Sequence, residues 1–212
     1  MDAIVNFSKI WEEGGVKSGR RFLIFGKKEV DEEPLKKKVI KAKYQIRKQI
    51  DKISFMINKL KERDEQLFTK LVDALINREE LRAKMLAAEI SEIRKIAKTL
   101  TVTQIALERV EYRLDLALSL GDIASTLAPV VPVIAMLKGQ LMKEVPELGI
   151  ELSNIHDELE EVVNEMSFYG GVHGDVVLDR EAKKILEEAK ALAEEQIKEN
   201  FPSVGIAENH KI

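Results

Sequence analysis

From Val39 onward, apolar side chains recur at every seventh position: Val39, Ile46, Ile53, Leu60, Leu67 and Ala74. A second row sits three or four residues away, at Ile50, Ile57, Asp64 and Leu71, with one polar interruption. A heptad row keeps one stripe of a helix facing a partner, so this segment predicts a coiled-coil seam. Its helix starts near Pro34 and Leu35, where proline suits a first turn. Leu86, Ile93, Leu100, Leu107 and Leu114 repeat the spacing, flanked by Ile96, Thr103, Val110 and Ala117, up to Gly121. The two stripes fall out of phase across Asn77, which predicts a turn there although neither Gly nor Pro marks it. Two amphipathic helices of about 42 residues, each roughly 60 Å long, joined by a short turn, pair as an antiparallel hairpin.

Shorter elements follow. Residues 130–144 read as a helix entered through Pro129 and Pro132. Residues 147–166 read as another, with Leu148, Leu152, Ile155, Leu159, Val162 and Met166 in steps of three and four. Tyr169-Gly170-Gly171-Val172-His173-Gly174 reads as a flexible linker. A last helix is expected after Asp179 as N-cap, with Ala182, Ile185, Ala189 and Leu192 on one side. The predicted fold is all-α, a long antiparallel helical hairpin followed by three shorter helices.

Composition narrows the chemistry. One third of the 212 residues are charged, only 5% are aromatic, and there is no cysteine, which removes disulfides and thiolate chemistry. The longest apolar stretch, Leu127–Leu137, is interrupted by two prolines and falls short of the ~20 residues a bilayer span needs. With no signal peptide in evidence, a soluble cytoplasmic protein is expected. Gly14–Arg21 has the frame of a phosphate loop, but Arg20 and Arg21 stand where Lys and Ser/Thr are required, and no strand precedes it. No Glu-x-x-His pair supports a di-metal bundle, and His156, His173 and His210 read as isolated surface or linker residues. We expect no catalytic residue, metal or cofactor.

Charge is sorted along the chain. Residues 1–95 carry 23 Lys/Arg against 16 Asp/Glu, whereas residues 144–212 carry 6 against 17, within a total of only −3. A near-neutral sum thus hides a basic front and an acidic tail. At 100° per residue, Lys37, Lys41, Lys48, Lys52, Lys59, Arg63 and Lys70 fall within an arc of about 80°, separate from the seam, in a row about 50 Å long. No acid stands four residues after any of them. Residues 2–13, taken as a helix, place Ile4, Phe7, Ile10 and Trp11 on one side. Then come Arg20 and Arg21, the apolar run Phe22–Phe25, and Lys27 and Lys28. Trp and Phe on one face beside clustered cations suit the headgroup boundary of an anionic bilayer. The same cations could bind nucleic-acid phosphates. Without base-reading aromatics a planar lipid surface is the better fit, and nucleic acid is not the expected partner. A purely structural coiled-coil scaffold is the other alternative.

Taken in order, a basic hairpin, short third and fourth helices, an acidic half and a detached final helix resemble the ESCRT-III proteins. The archaeal cell-division branch, the CdvB family, is the nearest likeness, over roughly residues 30–200. Its telling stretches are Leu35–Leu75, Leu127–Glu147 with its prolines and Lys138-Gly139, and Val176–Leu186. The resemblance implies a subunit that forms homo- or hetero-polymers with paralogous subunits on the inner face of the cell membrane, at the division site, and drives constriction or budding. It implies a shorter paralogue without a winged-helix extension. It further implies that the acidic C-terminal helices hold the monomer closed. A partner AAA+ ATPase would capture a C-terminal motif, here Phe201-Pro202, although a second proline is missing. The expected organisation is a membrane-anchor segment 1–33, a polymerisation core 34–144, acidic regulatory helices 145–200 and a flexible tail 201–212.

Overall fold

A computed structural model describes residues 12, 34–120, 126–170 and 175–201. Along them run α1 (Leu35–Ile76), α2 (Glu80–Leu120), α3 (Val130–Glu144), α4 (Pro146–Gly170) and α5 (Asp175–Asn200). The fold is all-α among the described residues, as the periodicity predicts. The carbonyl of Pro34 accepts the amides of Lys37 and Lys38, so Pro34 caps α1 where the sequence places its start.

The predicted turn falls at Asn77-Arg78. Its bonds are those of a Schellman closure: the Glu79 amide donates to the Ala74 carbonyl at 2.9 Å and the Arg78 amide to the Leu75 carbonyl at 3.1 Å. Such a closure needs a left-handed residue, a place where Gly is usual. Here Arg78 takes it, at φ 58°. The turn therefore carries no glycine signature in the sequence.

The chain forms two compact units. The first takes in Met1–Lys48 and Glu108–Lys183. In it the start of α1 pairs antiparallel with the end of α2, Arg47 reaching Glu111 at 3.1 Å and Lys43 bridging to Asp115. Its core joins Val39, Ala42 and Ile46 with Val110, Leu114 and Ala117, the inner faces of α3 and α4, and Ala182. α3 begins on Pro129 with Pro132 in its first turn, and Val145 closes it before Pro146 opens α4. α3 and α4 approach closely at Gly149, where a Cβ would lie 2.8 Å from Met142 Cγ and 2.9 Å from its backbone nitrogen.

The second unit takes in Gln49–Leu107 and Lys184–Ile212. Leu67, Leu71 and Ala74 of α1 pack with Ala83 and Ile90 of α2 beside the turn, and Ile185, Ala189, Ala193 and Phe201 of the last segment are buried. Asp64, the polar interruption in the seam, receives a two-pronged bond from Arg94, Nε to Oδ1 at 2.7 Å and Nη2 to Oδ2 at 2.9 Å. A buried carboxylate is tolerated there because its oxygens are bonded and its charge is matched.

Three expectations are corrected. Tyr169 and Gly170 belong to α4 and not to a linker, since one glycine costs a helix only about 1 kcal/mol. α5 starts at Asp175, so Asp179 is no N-cap but lies one turn inside, paired with Lys183 at 2.6 Å. Nothing in Val176-Val177-Leu178 breaks a helix. Leu192 is exposed, and Ala193 takes the buried place expected for it. Ala182, Ile185, Ala189 and Ala193 follow one another in steps of three, four and four, which keeps them on one side of the helix.

Arg94→Ala leaves the Asp64 carboxylate buried and unpaired, and should cost about 3 kcal/mol. Replacing both by leucine should be near neutral. Urea unfolding midpoints of the two variants give the comparison, and equal losses would mean that the pair does not match charge.

Candidate functional site: acidic helices on the basic hairpin

The site lies in the first unit, where α4 runs antiparallel to the start of α1. Its apolar side places Leu148, Leu152, Ile155, Leu159, Val162 and Met166 in the core. That burial fixes the rotation of α4, and Glu158, Glu161 and Glu165 then reach α1. Lys41 donates to Glu158 at 2.8 Å. Lys38 donates to Glu161 at 3.1 Å and to Glu165 at 3.2 Å. Lys38, Lys41, Glu158 and Glu161 line an open cleft between the helices. Partial burial by itself would lower the Lys38 pKa, but the bonds to Glu161 and Glu165 outweigh it and hold the ammonium above its ordinary 10.5. Arg113 of α2 also meets an acid of α5, Glu181, at 3.5 Å.

In the second unit, α5 supplies a smaller set of contacts. Lys98 donates to Glu194 at 3.0 Å, and Lys61 to the Asn200 side chain at 3.2 Å. The Lys98 ammonium holds the exposed Glu194 carboxyl below its usual 4.5. At the end of α5, Phe201 is buried and its amide donates to the Ile197 carbonyl at 2.8 Å.

Magnitudes separate the two kinds of contact. Each large side chain buried by α4 contributes about 1.5–3 kcal/mol. Each partly exposed ion pair contributes about 0–1 kcal/mol. The apolar seam holds α4 in place, and the ion pairs choose which cations it covers.

The predicted basic row is therefore less free than its sequence suggests. Lys41 is paired to Glu158, Arg63 to Glu89 at 2.8 Å, and Lys59 sits 4.5 Å above the Phe55 ring. Lys37 and Lys52 also have interaction partners, whereas Lys48 and Lys70 are exposed. The acids that pair with the row come from other helices, which the spacing along α1 alone could not reveal. Lys38 was missed because it stands off the predicted arc. The spacing of Glu158, Glu161 and Glu165, three and four residues apart on one helix face, is the signal that could have found the site. Ile4, Phe7, Ile10, Trp11, Arg20, Arg21, Phe22, Phe25, Lys27, Lys28 and Pro202 lie outside the described residues. So do His173 and His210. His156 is not an isolated surface residue as expected: its side chain is half-buried, with Nδ1 3.0 Å from Asp157 Oδ1 and 3.8 Å from Glu160 Oε2. These three groups could converge on a cation. Both carboxylates are exposed, however, and exposed acids commonly gather without one. No described helix is long and apolar enough to cross a membrane.

A long helical hairpin backed by shorter acidic helices is an ESCRT-III-like, all-α architecture. No protein-family model and no solved structure matches the chain. Three curated proteins of Sulfolobus acidocaldarius do. Cell division protein B1 is 40% identical over 209 residues, 97% of this chain and 94% of that protein. Cell division protein B is 31% identical over 80% of this chain and 66% of its own length. Cell division protein B3 is 31% identical over 71% of this chain and 87% of its own length. The chain belongs to this archaeal cell-division family, the CdvB family.

Because Lys38 is held above its unfolded pKa, its stabilising contribution is full below about pH 10.5 and is lost as pH rises through the folded value. The difference in unfolding free energy between the native chain and Lys38→Met should stay flat from about pH 7 to 9 and shrink towards pH 12. A difference that is flat across the whole range would deny Lys38 its role in holding α4.

Proposed function

We propose that this chain is a subunit of an ESCRT-III-like polymer that serves archaeal cell division by assembling on the inner membrane face and constricting it. Its work is assembly and not catalysis. The observation that carries the reading is the pairing of α1 cations with α4 acids, set beside the kinship to three division proteins from one organism. A cation held by a carboxylate is unavailable to a lipid phosphate. The subunit described would then be a closed form, with residues 145–200 regulatory and residues 34–144 the polymerising core. Residues 1–33 would be the anchor, with Ile4, Phe7, Ile10, Trp11, Phe22 and Phe25 entering the headgroup layer beside Arg20, Arg21, Lys27 and Lys28. Lys37, Lys48, Lys52 and Lys59 would meet anionic headgroups, joined by Lys41 once Glu158 releases it. That three such relatives occur in one organism supports mixed polymers as the expected assembly. An AAA+ ATPase that takes up Phe201-Pro202 would have to draw Phe201 out of its buried place first.

Full-length protein with Glu158, Glu161 and Glu165 changed to Gln should float with anionic vesicles at least about fivefold better than the native chain at ~50 mM salt, each nearby charge being worth about 1 kcal/mol at such a surface. The advantage should fade near 300 mM salt, as screening requires. Equal flotation of both proteins at every salt concentration would sink the closed-form reading. Phe7→Ser with Trp11→Ser should cut vesicle binding severalfold, and undiminished binding would remove the N-terminal anchor.

A further inference from the structure

At the turn end of the second unit, large apolar side chains stand in water on both long helices. Val72, Leu75 and Ile76 of α1 are 39%, 57% and 73% exposed, and Leu81 and Met85 of α2 are 76% and 68% exposed. Val72 with Ile76, and Leu81 with Met85, are each four residues apart and so stack on one face of their helix. Leu67, Leu71 and Ala74 point inward on α1 and Ala83 and Ile90 inward on α2. The two exposed strips belong to the outer faces of paired helices, and such faces point away from each other.

We propose that the α1 strip of one copy packs on the α2 strip of the next, side by side with the turns pointing the same way. The inference deepens the polymer reading above and rests on it. In this register Val72 meets Met85 and Ile76 meets Leu81, and Asp73 shares a flank of the contact with Arg82, an attraction between opposite charges. A bilayer is the poorer occupant, because residues 70–85 carry four cations against three acids and lack the excess of cations that an anionic surface selects. The two strips differ, so the contact is heterologous: each copy that docks leaves a fresh strip for another, and the assembly grows as an open filament. Summed over both strips the exposure is on the order of 500 Å² per copy, so each contact takes only about half of that from each partner. That is well short of the ~800 Å² per partner of a standard interface. A single contact is accordingly weak, and repetition along a filament supplies the rest.

The chain has no cysteine, which leaves introduced thiols as the only ones. Full-length Val72→Cys and Met85→Cys proteins, mixed under mild oxidation on anionic vesicles, should give a disulfide-linked mixed dimer in large excess over either homodimer. Equal yields of homodimer would mean two-fold contact and overturn the register, and no linkage at all would overturn the contact. Leu81→Asp, a change at an exposed site that should leave the circular dichroism unaltered, should reduce pelletable polymer at least tenfold while vesicle flotation persists. Lost flotation with polymer retained would assign the strip to lipid and sink the proposal. If the native chain neither pellets nor floats, the polymer reading itself fails, a result distinct from a native polymer that ignores these variants.

Discussion

A seam buries one stripe of a long helix and leaves the rest of its circumference to be covered by something else. That constraint governs this chain. α1 spends Val39, Ile46, Ile53, Leu67 and Ala74 on its pairing with α2. Its flanks then carry Lys38 and Lys41 on one side and Lys43 and Arg47 on another, and each set finds acids: Glu158, Glu161 and Glu165 of α4 for the first, Asp115 and Glu111 of α2 for the second. The outer strips at the turn end find nothing within the described residues of their own chain. Covered and uncovered faces together say where further partners can go.

The parts of the fold that depend on periodicity were legible in the sequence. The α1 seam, the start at Pro34, the break at Asn77 and the limits of α3 needed only spacing and punctuation. The parts that depend on a cross-helix partner were not. Asp64 reads as a flaw in the second apolar row until Arg94, thirty residues on, is placed opposite it. Lys38 looks unremarkable beside the seven cations of the arc, yet it bonds two carboxylates of α4. The start of α5 was misread because Asp179 has the chemistry of a cap, whereas the helix already runs from Asp175 and Asp179 bonds Lys183 one turn further on. Capping preference is a weak signal when the residues before the candidate are good enough to extend the helix.

Charge sorting and apolar burial play different parts in holding the acidic helices. The imbalance between residues 1–95 and 144–212 decides which surfaces are brought together, since the α4 acids face α1 cations. It does not decide how firmly. Six large apolar side chains of α4 are buried, whereas the buried side of α5 in the second unit has Ile185 and Phe201 with two alanines. At about 0.8 kcal/mol per buried methylene, the second attachment is much the lighter of the two.

On the closed-form reading proposed above, release of α4 would not follow from salt alone. Screening weakens the α4 pairs with Lys38 and Lys41, but it weakens a lipid phosphate's hold on the same ammonium groups to a similar degree. The apolar seam beneath them is untouched by screening. Membrane charge can therefore compete for the lysines without lifting α4, and lifting α4 needs a new home for Leu148, Leu152, Ile155, Leu159, Val162 and Met166. In a polymer that home would be another subunit. The electrostatic and apolar parts of the site would then answer to different partners: lipid takes the cations, and neighbouring copies take the leucines.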